Sequence, residues 1–122
     1  MKKISAVIIT YNEEKNLRRC LESLGNICDE ILIVDSFSTD KTAEIAKSFN
    51  AKFIQHPFDG YIQQKNYALS LAKNDMVLSL DGDEALSPEL LESIKKAFIH
   101  AWRPLSGYFK MCWFKPSLFI AV

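Results

Sequence analysis

Apolar residues along the chain come in short runs divided by polar, turn-forming stretches. Ser5-Ala6-Val7-Ile8-Ile9, Glu30-Ile31-Leu32-Ile33-Val34, Ala51-Lys52-Phe53-Ile54-Gln55 and Met76-Val77-Leu78-Ser79-Leu80 have the length and composition of strands. Between them the spacing becomes helical. Leu17, Cys20, Leu21 and Leu24 fall at i, i+3, i+4 and i+7, one face of a helix that Asn12 could cap and Gly25 could end. Thr42, Ile45, Ala46 and Phe49 share one face of a second helix. A third is expected from Tyr61 to Ala72, after His56-Pro57 stops the third strand. In the fourth, Ser87 is placed to cap, Pro88 to take the first position and Glu89 the first turn. Leu90, Ile94, Ala97, Phe98 and Ala101 would form its apolar face.

Strands alternating with helices four times over predict βαβ units, hence an α/β fold with a mainly parallel sheet and helices on both faces. Near-continuous apolar strands agree with burial on two sides. In such a sheet, ligands bind outside the carboxyl ends of the strands. Polar residues collect there: Thr10-Tyr11-Asn12-Glu13 after the first strand, Asp35 after the second, Asp81-Gly82-Asp83 after the fourth. Two carboxylates cannot stay unpaired in an apolar interior, so Asp81 and Asp83 must emerge at the strand end. One residue apart and joined by glycine, they suit a hard divalent cation, Mg²⁺ or Mn²⁺. Asp-Gly-Asp alone also suits an ordinary turn or a helix cap. Three polar clusters on one rim are harder to explain as turns than one.

The length of 122 residues corresponds to about one modest domain, and 48% apolar content can build a core. Charge is balanced at 15 basic and 15 acidic residues, so no basic excess suggests nucleic acid as a partner. Cys20, Cys28 and Cys112 show no metal or redox spacing and fit a reduced, cytoplasmic setting. Cys20, on an apolar helix face, reads as a small core residue. The basic start Met1-Lys2-Lys3 leads into an apolar stretch too short for a signal sequence, and no run approaches the ~20 apolar residues of a membrane span.

The turn after the first strand, Thr10-Tyr11-Asn12-Glu13-Glu14, has no glycine and carries two acids. It is not the G-x-G-x-x-G of a dinucleotide-binding fold, and a Walker loop is absent too. A diphosphate bound here would need another source of positive charge. A divalent cation on Asp83 supplies it, acting as a Lewis acid on a leaving diphosphate. Tyr11 offers an aromatic face to a base. Asp35, a rim residue contributing little to the core, offers an acceptor to a base N–H or a ribose hydroxyl. A half-buried edge tyrosine and a turn aspartate are the plainer roles for these two.

Four segments together resemble the N-terminal half of an inverting family 2 glycosyltransferase of the GT-A fold: Ser5 to Glu14, Glu30 to Thr42 (with Val34-Asp35-Ser36-Phe37-Ser38-Thr39-Asp40), Gln64-Lys65-Asn66-Tyr67-Ala68, and Leu80-Asp81-Gly82-Asp83-Glu84. The likeness spans roughly residues 4 to 108 and is strongest to the lipopolysaccharide-core β-1,4-glucosyltransferase type. It implies a Rossmann-like nucleotide-sugar-binding half over 1–108. It implies that Thr10, Tyr11 and Asp35 hold the nucleotide base, with Glu13 on the same rim. Lys65, where many relatives have arginine, would face the nucleotide. Asp81 would touch ribose and Asp83 would bind the metal. The donor would be a UDP-sugar, UDP-glucose by resemblance, and the acceptor a glycan or lipid-linked glycan at the inner face of the cell membrane. Transfer would be a single displacement with inversion.

The family also needs a carboxylate to deprotonate the acceptor hydroxyl. Residues 109–122 no longer resemble the relatives and contain no Asp or Glu. This divergent aromatic tail reads as a truncation or frameshift, or as a segment docking on a partner or a bilayer surface. The general base is therefore expected to be absent. Two rivals stand beside the transferase. One is a catalytically inactive remnant that binds nucleotide and metal. The other is an Asp-x-Asp phosphotransferase, disfavoured because the motif follows the fourth strand and Ala85 holds the place of its threonine.

Overall fold

The computed structural model describes residues 3–74 and 76–99. The elements run β1 (Ile4–Thr10), α1 (Leu17–Ser23), β2 (Glu30–Asp35), α2 (Thr42–Ser48), β3 (Lys52–Gln55), α3 (Tyr61–Leu71), β4 (Met76–Asp81) and α4 (Pro88–Ile99). The expected packing of Ala97, Phe98 and Ala101, together with Cys112 and the 109–122 tail, lies outside the described residues. The sheet order is β3-β2-β1-β4, and every neighbouring pair is parallel. The chain moves outward from β1 through β2 to β3, then crosses back to the far side of β1. The order therefore reverses between β1 and β4, where α/β sheets open a crevice.

Alternation along the central strands separates two cores. Ile4, Ala6 and Ile8 of β1, Ile33 of β2 and Met76, Leu78 and Leu80 of β4 face one way. They pack under Leu17, Cys20, Leu21 and Leu24, Ala46 of α2, and Leu90 and Ile94 of α4. Val7, Ile9, Leu32, Val34 and Val77 face the other way, under Ala68 of α3. Helices thus cover both faces, three on one and one on the other. β3 is an edge strand whose residues are only half-buried or exposed, so its apolar content does not follow the two-sided pattern of the other three.

Local signals set the element ends. Ser87 Oγ accepts the Leu90 N–H at 3.0 Å and caps α4. Gly25, at φ +58°, ends α1 in the left-handed region. Asn12 does not cap α1, as its spacing suggested. Its side chain is drawn instead to the loop after β2, and α1 starts later, at Leu17, behind a turn closed on the Glu13 carbonyl. Cys20 is a packing residue, its thiol pushed up to about 12 by burial.

At the amino ends of the strands Glu30 is buried. Its carboxylate accepts Ser5 Oγ (2.7 Å), the Lys73 N–H (2.9 Å) and Lys52 Nζ (2.9 Å). Burial opposes the charge, but these donors outweigh it and hold the carboxyl below its ordinary value.

Candidate functional site

β1, β2 and β4 end level. Thr10 stands in register with Asp35, and Ile9 with both Val34 and Asp81. The loops after three strands therefore share one edge. Those after β1 and β2 are laced together. Asn12 N–H donates to Ser38 Oγ (2.7 Å), Glu13 N–H to Thr42 Oγ1 (2.9 Å) and Glu14 N–H to Asp40 Oδ2 (3.1 Å). In return Asn12 Oδ1 accepts the Thr39 N–H (2.8 Å). The lacing holds Asn12 and Phe37 at positive φ, 50° and 59°, the second unusual for a bulky side chain.

Asp35 is 0% exposed. Thr10 Oγ1 and Ser38 Oγ donate to its Oδ1, the first at 2.7 Å, and the Ser38 N–H donates to Oδ2 at 2.7 Å. A rim residue with little part in the core was expected. The register sets the Thr10 hydroxyl beside the carboxylate, and the Ser38 loop folds back over it, so Asp35 is a buried fastening instead.

A cavity of about 400 Å³ opens on this edge. Of the seven site residues picked out from the sequence, Thr10, Tyr11, Glu13, Asp81 and Asp83 line it. Asp35 stands behind Thr10. Lys65 lies beside Asp81, with Nζ 3.0 Å from Oδ1 in an ion pair that is not aligned as a hydrogen bond. Ser36, Phe58, Tyr61 and Gln64 also line the cavity and were not singled out as site residues. Gln64 is 1% exposed; its Nε2 donates to Ser36 Oγ (3.1 Å), and its Oε1 meets His56 Nδ1 at 3.0 Å. A carbonyl oxygen only accepts, so Nδ1 carries the proton, and the His56 ring stacks on Tyr67 with centroids 3.8 Å apart. The signal for Gln64 was its place one helical turn before Ala68, on the one line of α3 that faces the sheet.

The Asp81-Gly82-Asp83 turn is tightly held. Gly82 N–H donates to the Ile9 carbonyl (3.0 Å), and Glu84 N–H to the Asp81 carbonyl (2.9 Å). A Cβ on Gly82 would come 2.9 Å from Glu13 Cγ and 3.0 Å from Thr10 Cγ2. Glycine is required here for close approach rather than for an unusual φ. The surroundings are acidic. Burial pushes the Glu13 carboxyl above its ordinary value; Asp83, Asp40 and Asp81 push the same way, against a hydrogen bond from Asn16.

A divalent cation fits these residues in one way. Asp83 is exposed, and its carboxylate accepts no hydrogen bond among the described residues. No group of three or more His, Cys, Asp or Glu among the described residues could cage a metal. The chain offers hard oxygen ligands from one or two carboxylates, and phosphate oxygens and water would complete the shell, as Mg²⁺ usually requires.

Residues 5–103 match the family described as Glycosyl transferase family 2. The chain belongs to that family. The lipopolysaccharide core biosynthesis glycosyltransferase LpsC of Rhizobium meliloti (strain 1021), a family-named relative, is 42% identical over 94 residues, 73% of this chain and 34% of LpsC. S. aureus TarS 1–349 superposes with a TM-score of 0.68 at 29% identity, covering 80% of this chain and 33% of that one. Glucosyl-3-phosphoglycerate synthase of Mycobacterium tuberculosis, solved with Mn²⁺, UDP and glucosyl-3-phosphoglycerate, gives 0.58 at 24% identity over 69% of this chain and 36% of its own. At that identity the likeness is one of fold. The fold is thus the Rossmann-like α/β arrangement of GT-A glycosyltransferases. This family 2 chain spans about a third of the length of the curated relatives it matches. No helix among the described residues is long and apolar enough to cross a membrane.

Proposed function

We propose that this chain is the donor-binding half of an inverting glycosyltransferase that takes a nucleotide-diphosphate sugar, UDP-glucose, for cell-surface glycan or lipopolysaccharide-core synthesis. The observation that carries this is the convergence of Thr10, Tyr11, Glu13, Asp81 and Asp83 on one cavity at the point where strand order reverses. Thr10 and Tyr11 take the base side, with Asp35 acting through Thr10 and Ser38. Asp81 takes the ribose, with Lys65 balancing its charge. Asp83 would hold Mg²⁺ or Mn²⁺. The ion, when bound, supplies Lewis-acid stabilisation of the departing diphosphate. The name of LpsC supports this reading.

The acceptor is a glycan or lipid-linked glycan, met on the cytoplasmic side of the membrane. By resemblance to the family, a carboxylate other than the donor-site residues would deprotonate its hydroxyl. A remnant that binds nucleotide and metal without transfer would share every donor contact.

Calorimetry on the full chain tests the donor site. UDP should bind more tightly with Mn²⁺ than in EDTA, and Asp83→Ala should remove the difference. Equal affinity with and without the metal would refute the proposal.

A further inference from the structure

Glu84 follows the Asp81-Gly82-Asp83 turn, and none of the roles above uses it. It is 9% exposed and does not line the cavity. It closes the turn twice. Its N–H donates to the Asp81 carbonyl at 2.9 Å, and its Oε1 accepts the Asp81 N–H at 2.9 Å. Its other oxygen, Oε2, is buried without a hydrogen-bond partner among the described residues. A half-satisfied buried carboxyl is unfavourable for folding, and each such group calls for a reason.

The reason lies in what the turn can do without it. Gly82 is pressed between Thr10 and Glu13 on the cavity side, where not even a methyl group fits. Glu84 holds the same turn through the Asp81 backbone. Gripped at Gly82 and again at Asp81, the turn has one position, and both carboxylates it carries have fixed starting points. Remove the Glu84 acceptor and the Asp81 N–H loses its partner; the turn can then open only away from Thr10 and Glu13, carrying Asp83 with it.

We infer that Glu84 is a positioning residue that fixes the Asp81-Gly82-Asp83 turn, and with it the place of Asp83, for a cation shared with a diphosphate. The inference rests on the donor-site proposal above. Its test uses the full chain with two substitutions. Glu84→Met fills the space without an acceptor, and Glu84→Gln keeps an acceptor for the Asp81 N–H. The readout is the ratio of UDP dissociation constants in EDTA and in Mn²⁺, with a melting curve for each variant. Glu84→Met should shrink that ratio by about 10-fold or more, the usual effect of losing a group that orients a metal ligand. Glu84→Gln should restore the wild-type ratio. A wild-type ratio in folded Glu84→Met, or a collapsed ratio in folded Glu84→Gln, overturns the positioning role. If Glu84→Met does not fold, Glu84→Gln alone decides, in the same sense. A wild-type chain with no metal effect at all would instead sink the donor-site proposal from which this one starts.

Discussion

Replacing Asp35 with alanine separates a structural fastening from a free ligand group. The carboxylate is wholly buried and accepts from Thr10 Oγ1, Ser38 N–H and Ser38 Oγ. Alanine leaves these donors facing an apolar methyl group. The two hydroxyls can turn to seek other acceptors, but the Ser38 N–H cannot. A stranded buried donor costs about 1–3 kcal/mol, so the change should cost about 2–4 kcal/mol in all. That is a large part of the 5–15 kcal/mol typical of a whole domain. At about 3–6 °C per kcal/mol, between the values for smaller and larger domains, the melting temperature should fall by about 6–24 °C. Asp35→Asn should fall less, since its carbonyl still serves Thr10 while its amide meets the Ser38 N–H donor to donor. Thermal melts followed by circular dichroism read both, and UDP calorimetry well below the lower midpoint reads the site. If Asp35→Ala melted within about 3 °C of wild type, by the same conversion, the fastening would be worth almost nothing. Loss of UDP binding with that unchanged melt would make Asp35 a direct ligand contact.

Two further perturbations address the ion pairs. Lys65→Met removes the cation 3.0 Å from Asp81 Oδ1, in a pair whose side chains are 19% and 30% exposed. Between the small value of surface pairs and the larger cost of breaking buried ones, a loss of about 1–2 kcal/mol and weaker UDP binding are expected. Lys65→Arg should recover most of the stability, and an unchanged denaturation midpoint in Lys65→Met would show that the pair is idle. For Glu30 the folded carboxyl titrates below its ordinary value of 4.5. The stability it contributes is therefore present above that pH and is lost as pH falls through the lowered folded value. Urea midpoints measured from neutral pH downward should drop more steeply below 4.5 in wild type than in Glu30→Gln, and parallel curves would refute the assignment.

The order of elements was legible because each element's period is local. A run such as Ile4 to Ile9 or a face such as Leu17, Cys20, Leu21 and Leu24 carries its own signal. The rim was legible for the same reason: strand ends mark themselves, and in a parallel sheet they share an edge. What escaped depended on partners about 25 residues away. Asn12 looked like a helix cap because it stands between β1 and the helical spacing that begins at Leu17, yet its side chain bonds Thr39. Asp35 looked like a rim residue because nothing in its own strand says that Thr10 stands beside it. Phe58 and Tyr61 flank a glycine in a stretch without periodicity, and only the fold brings them to the cavity wall.

The same lacing bears on how a diphosphate would be held. In glycine-rich nucleotide-binding folds, consecutive backbone N–H groups after the first strand point at the phosphates. Here the corresponding groups are already engaged: Asn12 N–H with Ser38, Glu13 N–H with Thr42 and Glu14 N–H with Asp40. These three are not left to cradle an anion. The side chains added at this edge, Glu13, Asp81 and Asp83, are acidic and would repel one. Lys65 is already paired with Asp81. A diphosphate drawn to this cavity would therefore need positive charge that the lining does not supply. The exposed carboxylate of Asp83 is the group best placed to bring it, in the form of a divalent cation. On the donor-site proposal, the missing glycines and the Asp-Gly-Asp turn would be two sides of one arrangement: a loop that spends these amides on holding its neighbour would leave phosphates to a metal.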